Sequence, residues 1–166
     1  MAKWQRLSTH LRNVAELAER FAKPLDLGAE ARLAGLLHDL GKYSKRFQDR
    51  LHDNSIHGIN HWAAGTAHAG ETLKQLTVAF AVEGHHTGIP ALDGNESLKQ
   101  TVKRRADQKA WQERTGCVES ILQLLDRQRE CDGIQLPSLP RLAVNDFTSL
   151  GASASRRSTE SSSSMA

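Results

Sequence analysis

Apolar positions recur at helical intervals along most of the chain, and no stretch alternates convincingly as a strand. Leu11, Val14, Ala15, Leu17, Ala18, Phe21 and Ala22 make one apolar face. That spacing predicts a helix from His10, capped by Ser8 or Thr9 and ended by Pro24 and Gly28. A second stripe, Leu33, Leu36, Leu37 and Leu40, predicts a helix over residues 29–40 with Gly41 as its C-terminal stop. Ser44 is placed to cap a short helix through Phe47 and Leu51, and residues 53–60 read as a loop. A fourth helix begins near His61, and its Ala63, Ala64, Gly65, Ala67, Ala69 and Gly70 would let another helix approach closely. Residues 78–86 are apolar without a decisive period. In a helical chain they predict helix, stopped by Gly88 and Pro90.

Residues 95–130 form a charged, mostly helical stretch in which Ile121, Leu122, Leu124 and Leu125 read as core and the Lys103, Arg104, Arg105 run as a solvated face. Residues 134–147 carry Pro137, Pro140 and scattered apolar positions. Beyond them comes the serine-rich GASASRRSTESSSSMA, which cannot bury enough apolar surface to fold. The expectation is therefore an all-α helical bundle over residues 1–147 and a disordered tail over residues 148–166. No internal repeat is visible.

Composition narrows the class. At 166 residues, 39% hydrophobic and 25% charged, the chain suits one soluble domain with its own core. A net charge of +3 is weak support for nucleic-acid binding. Cys117 and Cys131 form neither a disulfide framework nor a thiolate metal site, so a reducing cytoplasm is expected. The opening MAKWQRLSTH turns polar before any apolar run of the signal-peptide kind, and nothing is long and apolar enough to span a membrane.

Histidine changes the picture most. All eight histidines lie between His10 and His86. The doublet His38–Asp39 closes an apolar helix, where a carboxylate is electrostatically disfavoured unless a cation or donor offsets it. His85 and His86 follow the apolar VAFAVEG and are costly to bury unpaired. With His10 and His61 these residues make a candidate ligand set, because imidazole and carboxylate together suit divalent transition metals. Each also has a plainer reading: His10 as an ordinary helix residue, His38 as a cation at a helix C-terminus. His52, His57 and His68 are assigned to surface or loop positions.

Four segments in order, HLRNVAELAERFA, AGLLHDLGKYSKRFQDRL, NHWAAGTAHAG and EGHHTGIP, resemble the HD superfamily of metal-dependent phosphohydrolases. Within it they look like the HD nuclease domain of the CRISPR-associated nuclease-helicase of type I interference. The resemblance implies an all-helical domain holding one or two divalent ions (iron, manganese, cobalt or nickel) and cutting single-stranded DNA. It implies His10, His38, Asp39, His61, His85 and His86 as metal ligands, with Asp39 bridging and acting in catalysis. Lys42 matches the lysine after the doublet and would hold a phosphate, with Gly41 letting it turn toward substrate. The implied partners are single-stranded DNA, a separate helicase subunit and the CRISPR RNA-guided surveillance complex.

The chain departs from that family in two ways. The late aspartate, expected in a segment resembling SALVDAD, has no counterpart, since Asp126, Asp132 and Asp146 stand in other contexts. No GxxxxGK[ST] motif occurs, so no helicase motor is expected, and the ending reads like that of a truncated or frameshifted frame. Two alternatives follow: an HD phosphohydrolase acting on nucleotides, and a catalytically silent truncated fragment.

Overall fold

The computed structural model describes residues 5–89, 91, 97–116 and 118–140. Eight α-helices run through it in the order α1 Leu7–Ala22, α2 Gly28–Leu37, α3 Lys45–Arg50, α4 Ala63–Ala67, α5 Leu76–Thr87, α6 Leu98–Ala106, α7 Gln108–Thr115 and α8 Ile121–Asp132. Single 3-10 turns occupy Lys23–Leu25 and Leu40–Tyr43, and a π turn, His68–Thr72, extends α4. Among the described residues there is no strand, only one isolated bridge between Ala91 and Ser97. The all-α expectation holds. The predicted tail over residues 148–166, Pro90, Cys117 and Asp146 lie outside the described residues.

Small residues set the helix crossings. A Cβ on Gly35 would lie 2.6 Å from the Ala15 Cα, so α1 and α2 touch backbone to backbone there. On Gly65 it would lie 2.0 Å from the Leu37 carbonyl oxygen, and on Gly70 it would strike Val102. The close approach predicted for the small residues of the fourth helix is thus real, with α2 on one side and α6 on the other. Leu33, Leu37, Leu40, Val78, Val82, Leu98, Val102, Trp111 and Leu124 fill the main core, and Leu11, Ala15, Leu36 and Ile134 a second cluster. Each fully buried leucine contributes about 1.5–3 kcal/mol.

Four expectations are corrected. The first helix buries Leu11 and Ala15 but leaves Leu17 and Phe21 exposed, because α2 covers only one side of it. Leu122 is likewise exposed, while Ile121, Leu124 and Leu125 are buried as expected. The second helix ends at Leu37 rather than Leu40, since the chain tightens into a 3-10 turn after Asp39. Gly41 is not a left-handed stop, being absent from the positive-φ glycines. Its lack of a side chain admits the His61 backbone instead: a Cβ there would lie 2.4 Å from the His61 carbonyl oxygen, which accepts a hydrogen bond from the Gly41 N–H at 2.8 Å.

Candidate metal centre

Asp39 is the hub. It follows the last turn of α2, is 3% exposed, and could not remain charged there without partners. Its Oδ2 lies 3.1 Å from His10 Nε2, 3.2 Å from His38 Nε2 and 2.5 Å from Lys42 Nζ. Its Oδ1 lies 3.3 Å from His61 Nε2. Burial pushes the carboxyl pKa up, but hydrogen bonds and charge from His38 and Lys42 outweigh that and hold it well below the usual carboxylate range.

The remaining nitrogens fall on two sides of this carboxylate. On one, His10 Nε2 and His38 Nε2 are 3.3 Å apart. On the other, His61 Nε2 and His86 Nε2 are 2.7 Å apart, and His85 packs against His86 with ring centroids at 4.2 Å. Two groups of potential ligand atoms result, His10–His38–Asp39 and Asp39–His61–His85–His86, each with its atoms within 4.8 Å of one another. All six residues expected as ligands are brought together, and Lys42 joins them as an ion pair with Asp39.

Backbone carbonyls orient two of the rings. His38 Nδ1 donates to the Gly35 carbonyl at 2.8 Å and His85 Nδ1 to the Val82 carbonyl at 2.5 Å. A carbonyl can only accept, so in both rings Nδ1 carries a proton, which leaves Nε2 as the nitrogen that would ligate a metal once it is unprotonated. Burial, with the charges of His86 and Lys42 adding to it against the pull of Asp39, pushes His61 down to about 4. Burial also pushes His85 down, although the residue as a whole is exposed. Neutral imidazoles are the ligating form.

These spacings fit a metal. Two ligand atoms each about 2.1 Å from one ion lie about 3.0 Å apart at a right angle and about 3.4 Å apart in a tetrahedron. The contacts of 3.1 and 3.2 Å on one side and 3.3 Å on the other fall between such polyhedron edges, whereas His61 and His86 at 2.7 Å lie closer than either.

Sequence reasoning missed what holds the second group in place. Glu83, one turn before His86 on α5, is 3% exposed and accepts from Arg105 Nη2 at 2.7 Å and Thr66 Oγ1 at 3.0 Å. Arg105 also sits 6.0 Å above the Trp62 ring, and Trp62 stacks on His86 with centroids 4.5 Å apart and planes at 26°. The solvated reading of the basic run therefore holds for Lys103 and Arg104, which are exposed, but not for Arg105. A lone acid in the apolar VAFAVEG was the signal, and its partner lay too far along the chain to be paired by spacing. His52 and His57 are exposed as expected, but His68 is buried, because every residue from Ala63 to Gly70 is covered by neighbouring elements.

Of the late acids, Asp132 is engaged elsewhere: Tyr43 Oη donates to it at 2.5 Å, and Arg12 donates to its backbone carbonyl. Burial and this carboxylate push the Tyr43 pKa up. Asp132 is in neither ligand group. The side chain of Asp126 lies outside the described residues.

A family model described as HD domain matches residues 7–127, well over half of the chain. The chain belongs to the HD-domain family. No curated protein matches it. As a member of the HD superfamily it is a metal-dependent phosphohydrolase, and the matched span carries the whole His/Asp cluster. No helix among the described residues is long and apolar enough to cross a membrane.

Proposed function

We propose that this HD domain is a two-metal phosphodiesterase that cuts single-stranded DNA, working in CRISPR interference beside a separate helicase subunit and the RNA-guided surveillance complex. The observation that supports it best is the sharing of Asp39: one buried carboxylate faces a histidine group with each oxygen. A bridging carboxylate of that kind suits two ions a few ångströms apart, which favours displacement at a phosphodiester. The four sequence segments around these residues favour the nuclease branch of the superfamily.

The roles of the chain's own groups follow from their geometry. Asp39 draws the histidines together, and the carbonyl contacts of His38 and His85 orient the two rings, each within its own group. Lys42, paired with Asp39 at 2.5 Å, carries the ammonium that would hold a phosphate oxygen. What divalent ions supply there is Lewis-acid chemistry, activating water near neutral pH and neutralising phosphate charge.

The test is cleavage of a single-stranded oligonucleotide by the purified protein with manganese, cobalt, nickel or ferrous iron, alongside His38→Ala and Asp39→Ala. Metal-dependent cleavage lost in both variants is the expected result. Turnover of mononucleotides with intact DNA would move the reading to the nucleotide phosphohydrolase. Bound metal with no turnover of either would leave the silent fragment.

A further inference from the structure

A cleft of about 620 Å³ opens between the start of α1 and α3, beside the His10 and Lys42 edge of the cluster. Its walls include Leu7, Phe47 and Leu51, and Arg6 joins its lining at the N-cap of α1. Two permanent cations, Arg6 and Lys42, line it, and no carboxylate does among the described residues. That volume lies in the range of small-molecule sites, which combine apolar walls with a few polar groups.

Phe47 has a fixed place in this wall. Its ring lies 5.7 Å from the Lys42 ammonium and meets the His61 ring edge-on at 5.7 Å between centroids. A phosphate drawn to Lys42 and the Asp39 cluster thus has an aromatic side chain immediately beside it. Gln5, Gln48 and His52 complete the lining, and the Gln48 side-chain amide donates to the Lys42 carbonyl at 2.7 Å. Apolar walls with amides among them suit a planar heteroaromatic ring, whose faces are apolar and whose edges form hydrogen bonds. A purely aliphatic group would offer nothing to the polar side chains of Gln5, Gln48 and His52.

We propose that this cleft is the subsite for the nucleobase-bearing part of the substrate, with Phe47 as its stacking platform and Arg6 as the outer countercharge. The proposal rests on the phosphohydrolase reading for the position of the phosphate, and it fixes on which side of Asp39 the rest of the substrate lies. In a DNA strand the occupant is the nucleoside next to the scissile phosphate. In a mononucleotide it is the base itself.

Binding tests this without requiring turnover. Thymidine 5′-monophosphate is compared with deoxyribose 5-phosphate, which carries the same phosphate and no base, by titration calorimetry on the metal-loaded chain. Base stacking on an aromatic side chain predicts about 10-fold or more tighter binding of the nucleotide. Phe47→Ala, and Leu51→Trp as a variant that fills the exposed end of the cleft, should each erase most of that difference, and Phe47→Tyr should keep it. Equal affinity for the two ligands, or a preference that survives both disruptive variants, overturns the subsite. Turnover separates the sources: faster cleavage of a normal than of an abasic oligonucleotide assigns the cleft to DNA, and hydrolysis of mononucleotides alone assigns it to small substrates. Absence of all turnover would sink the phosphohydrolase reading, while the binding comparison would still decide the cleft.

Discussion

The two sides of Asp39 are held in different ways. His10 lies within a 16-residue helix and His38 caps a 10-residue one, and the two helices meet closely enough at Ala15 and Gly35 to exclude a methyl group. Apolar packing sets that side. His61 precedes a short helix, while His85 and His86 occupy the last turn of α5. Besides the apolar packing of Val78 and Val82, their positions rest on polar and ring contacts: Gly41 to the His61 carbonyl, Glu83 to Arg105, and Trp62 against His86. The contrast teaches that the second group can be lost without disturbing the first, whereas damage at Asp39 reaches both.

Asp39→Asn should therefore have the largest effect. It removes the charge common to both groups, and metal affinity on each side should fall by more than the roughly 100-fold that an outer partner can cost. Metal content and oligonucleotide cleavage read it directly. Retention of either group's ion would separate the two sides more sharply than the shared carboxylate allows.

Arg105→Ala breaks the comparison on one side only. It strands the Glu83 carboxylate in the core, which should cost about 3 kcal/mol in denaturant unfolding. Metal affinity of the His61–His85–His86 side should drop roughly 10- to 100-fold, leaving one ion bound per chain. An equal loss on the His10–His38 side would show that the two sides are not held independently.

Gly41→Ala acts through the backbone. Its Cβ would fall 2.4 Å from the His61 carbonyl oxygen, so the His61 segment must move, at about 1–3 kcal/mol. Thermal unfolding measures the stability term and metal titration the displaced ligand. Unchanged values in both would mean that the contact is looser than the geometry implies.

The remaining effect is on pH dependence. Folding lowers His61 from 6.5 to about 4, so between those values the unfolded chain binds the extra proton. Stability of the metal-free protein should then fall as pH drops from about 6.5 toward 4, with no contribution from His61 above that window. Unfolding curves at intervals across the window, with His61→Gln as the control, check it. A slope unchanged by the substitution would assign the effect elsewhere.

Much of the site was legible before folding was considered. A carboxylate beside a histidine at the end of an apolar helix, and paired histidines after an apolar run, are unusual enough locally to stand out. All six ligand candidates do converge. Arg105, Trp62 and Phe47 were not legible, because a cation in a charged run and aromatics near helix starts look the same whether exposed or engaged. His68 was misread for a related reason: every residue from Ala63 to Gly70 is buried, so no face of that segment is left to solvent.

By itself the sequence determined the helices and their apolar stripes, because helical periodicity and capping act within a few residues. It also determined which side chains could bind a metal, since that depends on residue type. Only the tertiary structure decided which of those groups share Asp39, which charge in the basic run turns inward to Glu83, and why residue 41 must be glycine. Each of these depends on surfaces brought together from distant parts of the chain, where sub-ångström clearances and loss of solvent determine which contacts form.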